Sequence, residues 1–137
     1  RGGGGENLHY ERIRLNVPGP AFRWDMLGSK KWVGELAERI PAREVTPLTP
    51  VYRNIFIKDI AVENCQQLIS ATAIPESPLG EVSFYNITAT CEDVMSIQDV
   101  DGFTIEDASI STKSTKLSIL CGYNVFFRNM GLNVLKE

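Results

Sequence analysis

The stretch Ile55-Phe56-Ile57-Lys58-Asp59-Ile60-Ala61-Val62 decides the fold. Apolar side chains at 55 and 57 alternate as a half-buried strand requires. The phase then slips by one residue, so that Ile60 and Val62 resume the alternation after a two-residue step. Such a slip turns the chain through a corner while keeping its apolar side chains on the inside. The residue at the corner is Asp59, and Asp and Asn are the non-glycine residues that best tolerate a left-handed backbone.

The same pattern occurs five times, over 8–15, 55–62, 82–89, 103–110 and 125–132, with spacings of 47, 27, 21 and 22 residues between starts. The corner is Asp59, Asn86, Asp107 and Asn129 in four repeats; Arg12 breaks the pattern in the first. A second apolar stretch follows 13 or 14 residues after each of the first four starts, at Phe22, Leu68, Met95 and Leu117. Each period therefore holds three short strands. Three strands per turn of about 22 residues predict an all-β right-handed parallel β-helix of about five coils, stacked about 4.8 Å apart. Tyr10, Ile57, Phe84, Ile105 and Phe127 then form a ladder inside it, and the polar corners form another. A β-sandwich accounts for the short strands but not for the recurring slip.

The long first interval contains a stretch without the repeat. Over 28–50, Ser29 is placed to cap a short helix with Trp32, Val33, Leu36 and Ile40 on one face, which Pro41 ends. This segment reads as a helix-bearing loop insertion packed on the flank of the coils.

Composition narrows the function. The 137 residues suit a single domain, and 43% hydrophobic content permits a sizeable core. A net charge of −3 supplies no basic field for a phosphate backbone, which argues against nucleic-acid binding. No apolar run approaches the roughly 20 residues that cross a bilayer, and no basic-then-apolar leader opens the chain. Three cysteines without a Cys-x-x-Cys spacing, and the single His9 at an exposed strand position, argue against a disulfide scaffold, a metal site and a Ser-His-Asp triad. No cofactor is implied. Cys65 and Cys91, 10 and 9 residues after their repeat starts, fall on neighbouring coils within disulfide reach and read as stacked free thiols.

Paired carboxylates are the first candidates for chemistry, because glycoside hydrolysis needs an acid and a base. Glu92-Asp93 and Glu106-Asp107 are adjacent and so point to opposite faces or into turns. Asp99 and Asp101 sit where the chain turns between coils. Arg12-Ile13-Arg14 flanks a core isoleucine. All of these read as solvated turns and edges. The outward side of the third strand is more informative, with Arg23 and Asp25, then Ser70, then Ser96 and Gln98, then Ser118. Arg23 beside Asp25 suits a uronate carboxylate or sugar hydroxyls. A plain surface ion pair has equal weight.

Gly3-Gly4-Gly5-Glu6-Asn7-Leu8, Thr49-Pro50-Val51-Tyr52-Arg53-Asn54-Ile55 and Ile74-Pro75-Glu76-Ser77-Pro78-Leu79 resemble the later coils of family 28 glycoside hydrolases, the polygalacturonases and rhamnogalacturonases that cut pectin. The resemblance covers essentially the whole chain, and it implies a right-handed parallel β-helix. The family's Asn-Thr-Asp, Asp-Asp, Gly-His-Gly and Arg-Ile-Lys elements do not occur here. The Arg1-Gly2-Gly3 segment looks like the stretch just downstream of the last of them. The resemblance thus implies the C-terminal, non-catalytic coils of a single β-helix domain. No catalytic residue is carried over, and Arg23 and Asp25 border the missing active site. Met26-Leu27 stand where the family often places a sugar-contacting tyrosine.

These readings set the expectations. The leading one is the C-terminal portion of a secreted or periplasmic pectin-degrading hydrolase. The parent would cleave galacturonan-type bonds by inversion and bind an acidic polysaccharide, and the 137-residue chain alone would be inactive. The alternative is a non-catalytic β-helix module for carbohydrate binding or protein interaction. A pectate lyase would need a calcium-binding acidic cluster, and none is visible. An uncapped glycine-rich first coil is expected to self-associate through its open end.

Overall fold

A computed structural model describes residues 3–135; Arg1 and Gly2, at the head of the glycine-rich start, lie outside the described residues. The chain is all-β. Strands β1 (Gly4–Asn16) and β2 (Pro20–Asp25) precede the short helix α1 (Lys30–Val33) and a 3-10 turn (Gly34–Ala37), and β3 (Val51–Thr72) and β4 (Leu79–Val134) follow. Among the described residues the pairings of β3 with β1, β2 and β4 are all parallel and belong to one sheet, and a lone antiparallel bridge joins Ile74 to Ser77. β3 pairs with β1 through its first half and with β2 through its second, while β4 pairs with it over both.

The register follows the repeat. Leu8 lies opposite Ile55 and Ile55 opposite Val82, although the two intervals differ by 20 residues. The surplus residues therefore lie outside the paired segments, and like positions meet like. Drawn out straight, the 56 residues of β4 would reach roughly 180 Å. The strand bends instead, at residues with positive φ.

Most of those residues form two rows, and Asp99 and Cys121, with φ of 56° and 54°, lie outside both. Asp59, Asn86, Asp107 and Asn129, the expected corners, have φ between 50° and 58°, and Arg12 joins them at 53°. A second row lies immediately before each repeat: Asn7, Asn54, Glu81, Gly102 and Asn124, with φ of 53° to 85°. At Gly102 a β-carbon would stand 3.2 Å from the Glu81 amide nitrogen, a tight approach that adds to the strain a side chain would meet at a φ of 85°. Side chains tie successive rows together. The Asn86 amide donates to Asp59 at 2.7 Å, Asn129 to Asp107 at 2.7 Å, and Asn54 to Asn7. Each bond occupies a polar group that the corner would otherwise leave bare, which is why Asn and Asp suit both the backbone and the stack.

The core follows the ladder with differences at its ends. Ile57, Phe84 and Ile105 are buried, and Phe84 meets Phe22, Trp24 and Phe103 at ring-centroid distances of 5.2, 6.3 and 5.5 Å. Burying side chains of this size contributes roughly 1.5–3 kcal/mol each. Phe127 is half-buried. Tyr10 was expected inside and is instead 43% exposed, because among the described residues only β3 lies against β1. The third-strand ladder is corrected by one position: Phe22 faces Ile69, not Leu68, and Ile69 faces Met95. Both neighbours are buried, so the apolar pattern alone did not distinguish them.

The helix of the 28–50 segment is shorter than expected. The Ser29 hydroxyl accepts from the Lys31 amide, as a cap does, but Gly34 with φ 59° ends α1 seven residues before Pro41. No residue of α1 is buried, and Trp32 is 78% exposed. Apolar packing does not hold this strap.

Candidate functional site

The outward side of β2 and of the second half of β3 forms a row of polar side chains. Alternation along β2 sends Phe22 and Trp24 towards Phe84 and turns Arg23 and Asp25 outward. Register then continues both columns across the sheet: Arg23 to Ser70 to Ser96, and Asp25 to Thr72 to Gln98. The residues singled out from sequence do share one face, and Thr72 joins them. Ser118 is exposed on β4.

Arg23 and Asp25 form an ion pair, with Nη2 to Oδ2 at 3.2 Å. The other carboxylate oxygen of Asp25 accepts the backbone amides of Leu27 and Gly28 at 3.1 and 3.0 Å. Asp25 therefore shapes the turn that leads into the strap. Arg23 keeps a mostly exposed side chain and is the cation of this face. Beside it, a cavity of about 300 Å³ opens among Leu8, Tyr10, Phe22, Arg23 and Trp24. Its lining is largely apolar, with Arg23 as its charged edge.

At the other end of the columns, Gln98 carries a buried side-chain nitrogen without a hydrogen-bond partner. Asp99 follows it, 4% exposed and at a φ of 56°. Arg39 from the strap grips Asp99 through both carboxylate oxygens and sets Nη2 3.4 Å from the Cys121 sulfur. The hydrogen bond to Asp99 raises the Arg39 guanidinium above its ordinary value, against the opposing effect of burial. Arg43 similarly holds the buried carboxylate of Glu76 at 3.1 Å. These two pairs pin the strap where its apolar side chains do not. Leu36, Arg43, Leu48, Ile74 and Glu76 enclose a cavity of about 360 Å³ beneath it.

The remaining acidic pairs have structural partners. Asp101 accepts from Asn124 and Asp93 from Gln66, while Glu92 pairs with Lys113. Arg12 and Arg14 pair with Glu11 and Glu63 at the surface. Among the described residues no group of three or more His, Cys, Asp and Glu side chains is arranged to hold a metal ion, and no helix is long and apolar enough to cross a membrane.

Sequence reading missed Arg39, Arg43 and the part played by Glu76 and Asp99. The spacing carried no signal for these pairs, whose partners lie 60 and 33 residues apart. Comparison of the chain with protein-family models, with curated proteins and with solved structures finds no match.

Proposed function

We propose that the parallel sheet is wound as a right-handed β-helix and that the chain forms non-catalytic coils of a pectin-degrading glycoside hydrolase resembling family 28. In this reading the parent enzyme hydrolyses galacturonan-type bonds by inversion, with two carboxylates serving as acid and base. It acts outside the cell or in the periplasm. The present residues extend the substrate face beyond the catalytic groups. The observation that carries the reading is the pair of register-aligned polar columns starting at Arg23 and Asp25. A row of hydroxyl and guanidinium groups set in register on neighbouring strands matches an extended, hydroxyl-rich, anionic chain.

Within that face Arg23 recognises a uronate carboxylate, and Asp25 fixes the position of Arg23 through its ion pair and its bonds to the turn. The test is calorimetric titration with oligogalacturonates, alongside a reducing-end assay on polygalacturonate. Saturable binding that is lost in Arg23→Ala, with no release of reducing ends, is the expected result. Binding that is unchanged in Arg23→Ala, or equal for uncharged oligosaccharides, overturns the assignment of the face. Hydrolysis by the chain itself overturns its non-catalytic role.

A further inference from the structure

Cys65 and Cys91 are direct register partners on β3 and β4. Both are free, and each is 1% exposed. Neighbouring strands lie about 4.8 Å apart, inside the roughly 4.4–6.8 Å Cα separation that a disulfide spans. The ladder is irregular at this point, with a register shift between Val62 and Cys65, so the pair is not held in a uniform pleat.

The two sulfurs differ in their surroundings. The Cys65 thiol is pushed up, chiefly by its hydrogen bond to Cys91 and then by burial. The same bond lowers Cys91 to about 7, aided by Thr112 and opposed by burial and Asp93. The Cys65 thiol also faces the Thr90 carbonyl, to which it donates at 3.8 Å, so Cys65 is placed to keep its proton and Cys91 to act as the nucleophile. The third cysteine, Cys121, is exposed and lies under Arg39.

We propose that Cys65 and Cys91 are an oxidisable dithiol that hydrogen peroxide closes into a disulfide joining two adjacent passes of the sheet. Peroxide is the fitting oxidant because it is small enough to reach sulfurs that a bulky disulfide does not. The Cys91 sulfur attacks one peroxide oxygen, the O–O bond breaks, and the departing hydroxide takes a proton to become water. This leaves a sulfenic acid on Cys91. The Cys65 sulfur then displaces the sulfenic hydroxyl. The S–S bond forms, the S–O bond breaks, and the hydroxyl leaves with the Cys65 proton as a second water. Two thiols lose two electrons in all, and one peroxide is reduced to two waters.

The experiment treats the folded chain with hydrogen peroxide, quenches it, alkylates the thiols in denaturant, and reads intact mass and linked peptides. Two fewer alkylated cysteines, a peptide joining Cys65 to Cys91, and a raised thermal midpoint that dithiothreitol reverses are expected. In Cys65→Ser, which is nearly isosteric, Cys91 yields a sulfenic acid, trapped by dimedone added together with the denaturant, and no linked peptide. Full alkylation of both cysteines after peroxide overturns the proposal. So does Cys91 sulfinic acid without a link in the unsubstituted chain, or a disulfide formed preferentially with Cys121.

Discussion

Arg39 reaches Asp99 across 60 residues of sequence and binds it with two parallel bonds, Nε to Oδ2 at 2.8 Å and Nη2 to Oδ1 at 2.9 Å. The fork matches the carboxylate, and the carboxylate is buried, so removing the cation strands a charge away from water. Arg39→Gln is expected to lower the thermal midpoint and to accelerate backbone hydrogen exchange across 28–50 while leaving β3 unchanged. Arg39→Lys restores the charge but not the fork and recovers only part of the protection. Exchange in the strap that matched the unsubstituted chain would count against a pinned strap.

Phe84 and Tyr10 hold equivalent repeat positions with opposite exposure, 1% against 43%. Phe84→Ala leaves a void among three aromatic rings and is expected to cost about 3–5 kcal/mol of unfolding free energy. Tyr10→Ala, at a half-open site, is expected to cost under about 1 kcal/mol. Denaturant unfolding of both variants checks the ratio, and equal losses would contradict the observed burial.

Asn86 serves its corner twice, through a φ of 58° and a bond to Asp59. Asn86→Ala loses the bond and places a β-carbon in the left-handed region, for an expected loss of about 1–3 kcal/mol. Asn86→Gly keeps the backbone conformation accessible and should recover a measurable part of it. If glycine proves worse than alanine in a thermal melt, backbone geometry is not what the asparagine supplies.

Tyr85 is raised above its ordinary value, first by the charge of Asp107 and then by a hydrogen bond to it, with burial, Glu106 and Asp59 acting in the same direction. A group held protonated more tightly in the folded state gives stability that is whole below its unfolded pKa of about 10 and is lost as pH rises through the folded value. Asp107→Asn is therefore expected to bring Tyr85 ionisation down towards the ordinary tyrosine value. Ultraviolet titration of tyrosinate, differenced against Tyr85→Phe, reads the shift. An unmoved curve would remove Asp107 as the cause.

The sheet register was legible in the sequence because the repeat states it twice, in the apolar alternation and in the short polar corner. The second left-handed row was half visible: Asn7, Asn54, Gly102 and Asn124 precede their repeats, but Glu81 disguises the column. Leu68 and Ile69 defeated the reading for a local reason, since two adjacent apolar residues give period-two alternation no preferred phase. The strap failed differently. Its apolar spacing resembles an amphipathic helix, yet Gly34 stops the helix early and Arg39 and Arg43 hold the segment through partners far along the chain. The candidate face divides in the same way. Alternation was enough to send Arg23 and Asp25 outward together, whereas the turn amides that occupy Asp25 appear only once the chain is folded.

The corner row also has a grain. Going up the sheet it reads Asp59, Asn86, Asp107, Asn129, and among the described residues its bonds join the first to the second and the third to the fourth, with none from Asn86 to Asp107. An amide can donate to a carboxylate, but an amide oxygen and a carboxylate meeting face to face offer no proton between them. Along this edge the side-chain ties therefore come in pairs, and between Asn86 and Asp107 continuity rests on the backbone and on the single buried core beneath it.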